Sequence, residues 1–483
     1  MIADQIDYSR KWYVFAGVAM GIFLSTIDGS IVNVAMPTLV QELNTHLATV
    51  EWVVLAYLLA LGTLMLSMGR LGDMIGKKPI YVVGFVIFTL GSVLCGLAPN
   101  VYWLIGFRVV QAVGGAMIMA LGMAIVTESF PPSERGRALG LTGSMVSIGI
   151  VLGPTLGGLI LGALSWHWIF FVNLPVGIVG TLMVIRFVPA RRPAGRQRFD
   201  LAGAVTFFAG LLALLLAVTI GQQVGFGDRR VLLLLAGGAA AMAGFVALER
   251  RVKQPMLDLE LFRSRLFSIN LVSGLMTFIS MSGTTFLIPF FLQGVLSYEP
   301  RQVGLLMATV PLAVGIVSPL SGALSDRVGT RPITVVGLAM VMVGFCALST
   351  VTVDMTALGY VLRFLPVGIG LGTFQSPNNS AVMGAVPRER LGVASGLLSI
   401  TRIVGQTTGI AVLSALWAGR VAAHHGAPLP EGANTAPAAA QVAGLHDIFL
   451  VIVGLIAFGL VLSVWALVQE KKTRTDPRGF RNP

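Results

Sequence analysis

The stretch GRLGDMIGKKP, Gly69 to Pro79, recurs as GALSDRVGTRP, Gly322 to Pro332. Both copies place Gly, Leu, Asp and Gly at the same offsets, followed by a basic residue and Pro, and each sits between two long apolar runs. An internal repeat of this kind marks a chain built from two halves of parallel plan. Two further apolar runs, 201–221 and 230–250, lie between the copies; removing them leaves six runs on either side.

The surrounding composition says what the runs are. Of 483 residues, 55% are hydrophobic and only 11% charged, and the mean hydropathy is +0.85. Soluble chains carry about 25% charged residues, and a membrane-spanning helix needs about 20 apolar ones. The expected fold is therefore an all-α polytopic membrane protein with fourteen transmembrane helices. They are predicted at 12–37, 49–69, 79–98, 101–128, 136–163, 167–188, 201–221, 230–250, 267–293, 302–325, 332–353, 356–385, 391–419 and 446–468. The runs lack the roughly ten-residue alternation of barrel strands. The first run is too long for a signal-peptide core and is read as a retained span.

Orientation follows from charge. With the amino end inside, 26 of the 33 Lys and Arg fall in cytoplasmic segments, whereas only Arg229, Arg230, Arg301 and Arg420 lie outside. Arg108, Arg363 and Arg402 fall within spans. That asymmetry predicts both termini in the cytoplasm. The net charge of +12 reflects these loops, so the expected partner is the lipid bilayer and not nucleic acid.

Several chemistries are excluded. GxxxxGK[ST], HExxH and GxSxG do not occur, and the five histidines lack metal-ligand spacing. Gly368, Gly370 and Gly372 lie inside a span and read as helix packing. Cys95 and Cys346 both lie in apolar runs and read as free thiols. No enzyme, metal site or organic cofactor is expected.

The fifth run reads GLTGSMVSIGIVLGPTLGG. Gly140, Gly149, Gly153, Pro154, Gly157 and Gly158 fit G(x)8G(x)3GPxxGG. Glycines one turn apart form a smooth stripe that admits a second helix closely, and Pro154 removes a backbone donor. A tight helix contact without a transport role would use the same pattern. At this point the chain resembles the major facilitator superfamily, in particular its fourteen-span drug:proton antiporters, in which the pattern is the antiporter motif. The family's loop motif is matched by Gly69, Leu71, Asp73, Gly76, Lys77, Lys78 and Pro79, with Gly72 and Met74 departing from it. RVVQAVGGA from Arg108, DGSIVNVAMP from Asp28, WVVLAY from Trp52 and WHWIFFVNLPVG from Trp166 extend the resemblance over nearly the whole chain. His167 stands where the family usually has Arg, leaving open how that end of the sixth span is held.

The resemblance implies two six-helix halves, 1–190 and 266–483, with inserted helices and basic linkers over 191–265. It implies a secondary active transporter, a proton-coupled antiporter exporting drugs or other amphipathic compounds across the plasma membrane, expected to act as a monomer with protons as the coupling ion. A lipid or glycolipid flippase of the same fold, and a non-transporting receptor or scaffold, remain alternatives.

Asp28 is the only acid well inside a span, and an ionisable group at mid-membrane costs about 2.5–3.5 kcal/mol on insertion scales. Burial favours the protonated form of a carboxyl and a nearby guanidinium the ionised form. A site alternating between such surroundings takes up a proton on one side and releases it on the other. Asp28 is thus the candidate proton carrier with Arg108 as its partner; a fixed structural pair is the other reading. Gly69, Asp73, Gly76, Lys77, Lys78, Glu128, Asp326 and Arg327 are candidate gating residues. Asp73 is expected near a helix start, accepting backbone N–H groups, with Lys77 paired to Glu128. A purely topogenic role for Lys77 and Lys78 is the plainer alternative. Candidate lining residues of a mid-membrane cavity between the halves are Asn33, Tyr57, Gln111, Gln293, Gln375, Asn378, Asn379, Arg402 and Gln406. The inserted pair is expected to face lipid.

Overall fold

The computed structural model describes residues 8–190, 199–252, 254–427 and 433–475. Among them fourteen helices are long and apolar enough to cross a membrane, and no strand occurs. In chain order, spans 1 to 8 are Lys11–Glu42, Thr49–Ile75, Lys77–Gly96, Val101–Ser129, Pro132–Ala163, Trp168–Phe187, Leu201–Gly221 and Arg229–Glu249. Spans 9 to 14 are Arg265–Val295, Arg301–Val328, Thr330–Leu348, Ala357–Gly384, Arg388–His425 and Ala438–Gln469. Several helices run further than their apolar runs. The first continues through Pro37 to Glu42, because backbone bonding carries on into polar residues once the helix exists. Conversely, the tenth run is broken, with helices Pro300–Met307 and Thr309–Val328.

Local chemistry sets the ends. Asn100 Oδ1 accepts the N–H groups of Tyr102 and Trp103, both at 3.1 Å, at the start of span 4. Asp228 accepts from Arg230 N–H at 2.8 Å at the start of span 8. Such caps satisfy amide donors that the first turn leaves free. The two repeat loops turn on Gly76 (φ 111°) and Gly329 (φ 92°), backbone states that disfavour any side chain.

The chain forms two compact units. Unit 1 holds Met1–Leu259 with Val386–Ile403, and unit 2 holds Glu260–Ala385 with Val404–Pro483. The inserted pair therefore belongs to unit 1, where spans 7 and 8 pack on each other and span 7 packs on span 2.

Each unit repeats one internal packing scheme. In unit 1, span 1 meets spans 4, 5 and 6, span 2 meets span 4, and span 3 meets spans 4 and 6. In unit 2, span 9 meets spans 12 and 14, span 10 meets span 12, and span 11 meets spans 12 and 14. Span 9 also receives span 13, where Gly405 and Gly409 abut Phe278 and Ile279. The outward surfaces of both units carry exposed leucines, among them Leu182 (60%), Leu233 (63%) and Leu320 (66%). Apolar exposure on that scale belongs to a protein surrounded by lipid.

Candidate functional site

Span 1 brings Asp28 into the interior of unit 1, where it is fully buried. Its Oδ2 accepts from Arg108 Nη1 of span 4 at 2.5 Å. Its Oδ1 accepts from Gln111 Nε2 at 2.8 Å and from Asn173 Nδ2 of span 6 at 2.9 Å. Arg108 donates further, from Nε to the Val53 carbonyl at 3.1 Å and from Nη1 to Gln111 Oε1 at 2.6 Å. Its guanidinium lies 4.1 Å from the centre of the Tyr57 ring, an arrangement that attracts a cation to an aromatic face. Ser92 of span 3 closes the knot by accepting from Gln111 at 2.7 Å and Asn173 at 3.2 Å. Five spans thus meet at one ion pair.

The knot is not saturated. Arg108 Nη2, Asn173 Oδ1 and the Tyr57 hydroxyl are buried without a hydrogen-bond partner. Removing two charges from water is costly unless their remaining donors and acceptors are satisfied. A site with spare buried donors and acceptors can rearrange when its central acid changes charge. Ser92 and Asn173 were not among the candidates from the sequence. Asn173 lies in the quoted WHWIFFVNLPVG stretch, a lone amide in an apolar run, and that was the available signal.

The loop motif forms a second cluster. Asp73 lies in the last turn of span 2, and the helix start it caps is not the one that follows it in sequence. It instead accepts from the first amides of the long helix in span 13, Oδ1 from Gly392 N–H at 2.8 Å and Oδ2 from Val393 N–H at 2.9 Å. A carboxylate at a helix N-terminus satisfies free donors and meets the positive end of the helix dipole. A β-carbon on Gly69 would overlap the Gly392 carbonyl, so glycine is needed for this approach. Lys77 Nζ bridges Asp73 Oδ1 at 3.0 Å and Glu128 Oε1 at 2.8 Å. Lys78 donates to the Ile185 carbonyl at 2.7 Å. In unit 2, Asp326 is half-buried and Arg327 exposed.

The glycine stripe of span 5 lies on span 1. β-Carbons at Gly149 and Gly153 would overlap the Thr26 and Ser30 side chains, and one at Gly157 would press on Ile31. Ser30 Oγ donates to the Gly149 carbonyl at 2.9 Å. Gly140 is buried, while Pro154 and Gly158 are exposed on the opposite face. The helix runs uninterrupted through Pro154. His167 is held by stacking on Trp166, ring centres 3.9 Å apart, and by Ser165 Oγ at 3.2 Å.

The remaining candidates are dispersed. Tyr57 and Gln111 belong to the buried knot. Asn33, Gln293 and Gln406 are exposed, and Gln375, Asn379 and Arg402 half-buried. Asn378 is buried with an unpartnered Oδ1. No group of three or more His, Cys, Asp or Glu among the described residues is arranged to hold a metal.

Known proteins resemble this chain in sequence and in fold. The riboflavin transporter RibZ of Clostridioides difficile is 34% identical over 415 residues, 85% of this chain and 89% of that protein. The multidrug transporter protein MdtP of Bacillus subtilis is 32% identical over 84% of this chain and 75% of its own. The multidrug resistance protein Stp of Mycobacterium tuberculosis is 36% identical over 83% and 74% respectively. Among solved structures, the human organic anion transporter MFSD10 superposes with a TM-score of 0.65 at 16% identity, covering 95% of this chain and all of that one. The proton:xylose symporter XylE gives 0.65 at 12%, covering 95% and 96%; both likenesses show the fold alone. The family model described as Major Facilitator Superfamily matches residues 18–410 and 271–482, and on that match and these relatives the chain belongs to the Major Facilitator Superfamily of transporters, which are not enzymes.

Proposed function

We propose that the protein is a proton-coupled antiporter exporting drugs or other amphipathic compounds from the cytoplasm or inner leaflet, with Asp28 as the proton carrier. The observation that carries this reading is the Asp28–Arg108 pair, fully buried and tied to Gln111 and Asn173, which Ser92 in turn joins to each other. When Asp28 takes a proton its hold on Arg108 weakens, and Arg108 Nη2 and Asn173 Oδ1, otherwise unpartnered, gain new bonding options. Substrate and proton then compete through one rearranging knot. The Asp73–Gly392–Val393 cap and the Lys77 bridge act as a lock released in each cycle. Because relatives are named as riboflavin and multidrug transporters, riboflavin and a varied set of drugs form the first substrate screen.

The test pairs binding in detergent with pH-gradient-driven transport in proteoliposomes. Asp28→Asn keeps the shape of the side chain, so substrate binding is expected to persist while uphill transport disappears. Wild-type uphill transport by Asp28→Asn would remove this residue as the proton carrier.

The orientation proposed, with both termini cytoplasmic, is checked by cysteine labelling of the loop between spans 5 and 6. Trp166 is buried, so Ser165, which is exposed, is the position to label. Ser165→Cys is expected to react from the outside only.

A further inference from the structure

The inserted pair carries a carboxyl site that the knot and the loop motif do not use. Asp200 caps span 7, its Oδ1 accepting from Gly203 N–H at 2.9 Å, while its Oδ2 has no hydrogen-bond partner. Glu249, the last residue of span 8, is only 4% exposed. Its Oε2 accepts from Leu257 N–H at 3.1 Å, and its Oε1 has no partner. Both bare oxygens lie 2.6 Å from the place a β-carbon on Gly203 would occupy. They converge on one point, and each carboxyl is held there through its other oxygen.

Among the described residues, the surrounding charges do not neutralise the pair by contact. Arg70 of span 2 is 2% exposed and feels Glu249, Asp73, Asp258 and Arg390, yet its Nε has no partner and it forms no ion pair with either carboxyl. Arg390, in the turn before the long helix of span 13, reaches Asp258 at 3.7 Å. Arg250 and Arg251, next along the chain, are exposed. Two carboxylates that share a confined site cannot both stay ionised without a counter-ion, and a proton common to the pair removes the repulsion.

We infer that Asp200 and Glu249 hold one proton between them, making the inserted pair a second proton-binding site of the protein. Its position gives it a route to the lock within unit 1. Met256 is fully buried beneath Ser67, Leu257 is tied to Glu249, and Asp258 to Arg390, two residues before the Gly392 amide that Asp73 caps. Loss of the proton adds negative charge beside Arg70, one residue after Gly69 in the same contact.

The test uses the full-length protein purified in lipid nanodiscs. Infrared difference spectra at neutral pH compare wild type with Glu249→Gln and with Asp200→Asn. Each variant is expected to lose a protonated-carboxyl C=O band, because either amide leaves the surviving carboxyl ionised and hydrogen-bonded. Asp28→Asn is expected to keep that band, which separates this site from the coupling acid. A band lost in only one of the two variants, or in neither, overturns the shared proton. Dicyclohexylcarbodiimide, which modifies buried protonated carboxyls, provides a measurement on wild type that needs no variant to fold. An adduct at Glu249 or Asp200 that fades as pH rises supports the pair, and no adduct at either residue overturns it. Replacing sodium by choline is expected to change neither readout; a sodium-dependent signal would overturn the proton in favour of a bound metal cation.

Discussion

Units 1 and 2 share a scaffold but not a centre. Gly84 and Gly114 bring spans 3 and 4 together at Phe88, and Gly337 and Gly370 bring spans 11 and 12 together at Val341 in the same way. One turn on, Gly91 rests against Gln111, whereas its counterpart Gly344 rests against Val367. By the same correspondence Arg108 is replaced by Phe364 and Ser92 by Phe345, both within the apolar core of unit 2. One half therefore holds a buried ion pair where the other holds an aromatic ring in place of the cation and the buried Ser280 in place of the acid. Hydrophobic side chains of similar volume often stabilise an interior as well as or better than ions. The knot in unit 1 is thus not a feature that the shared scaffold repeats.

Breaking the knot from the cation side should have the largest effect. Arg108→Met leaves Asp28 buried without its counter-charge, a change that typically costs about 3–5 kcal/mol. Thermal unfolding in detergent should show a large loss of stability. Adding Asp28→Leu should restore much of it by removing the unpaired buried charge, while transport stays absent. If the single variant is as stable as wild type, the pair is not the structural liability that the comparison makes it.

The glycine stripes sharpen the comparison at smaller cost. Gly149 and Gly153 of span 5, packed against span 1, correspond to Gly405 and Gly409 of span 13, packed against span 9, and a β-carbon at any of the four would overlap its neighbour. Gly153→Leu overpacks the contact by about 1–3 kcal/mol. It should insert in the membrane normally yet lose export; full export by well-expressed variant would show that close approach there is unnecessary.

A turn further on, the two units divide the same space differently. Gly157 faces Ile31 in unit 1, whereas Leu413 faces Gly283 in unit 2. Gly157→Leu alone should cost stability towards the low end of that same range of about 1–3 kcal/mol. Combined with Ile31→Gly it should recover most of the loss, because the pair then copies unit 2. A double variant no better than the single one would mean that the two contacts differ in backbone spacing and not merely in side-chain size.

The extent to which the sequence disclosed all this depends on the kind of signal. Apolar runs show spans directly, since lipid demands continuous helices, and the loop repeat showed the duplication. Asp28 and Arg108 stood out because charge within a span is rare. Asn173 and Ser92 did not, since a single amide or hydroxyl in an apolar run is common and only folding brings it to Asp28. Asp73 was identified as an N–H acceptor, but its partners Gly392 and Val393 lie more than three hundred residues away. Nothing local indicates that pairing. The carboxyls of the inserted pair were equally hidden, because Asp200 reads as a helix cap and Glu249 as a helix end.

The smallest effect is expected at a motif glycine that touches nothing. Gly158 belongs to the same sequence pattern as Gly149, Gly153 and Gly157, but a β-carbon there meets no atom within 4 Å. Its position in the repeat is taken by Ser414 in unit 2, so that scaffold already carries a side chain at this point. Gly158→Leu adds an apolar group to an exposed face of span 5 and replaces a poor helix former with a good one. Stability should stay within about 0.5 kcal/mol of wild type, and export should be retained. Loss of export in a stable Gly158→Leu protein would show that this face of span 5 meets a partner or substrate during the cycle. The difference between Gly153 and Gly158 would then reflect separate contacts, not one contact face and one free face.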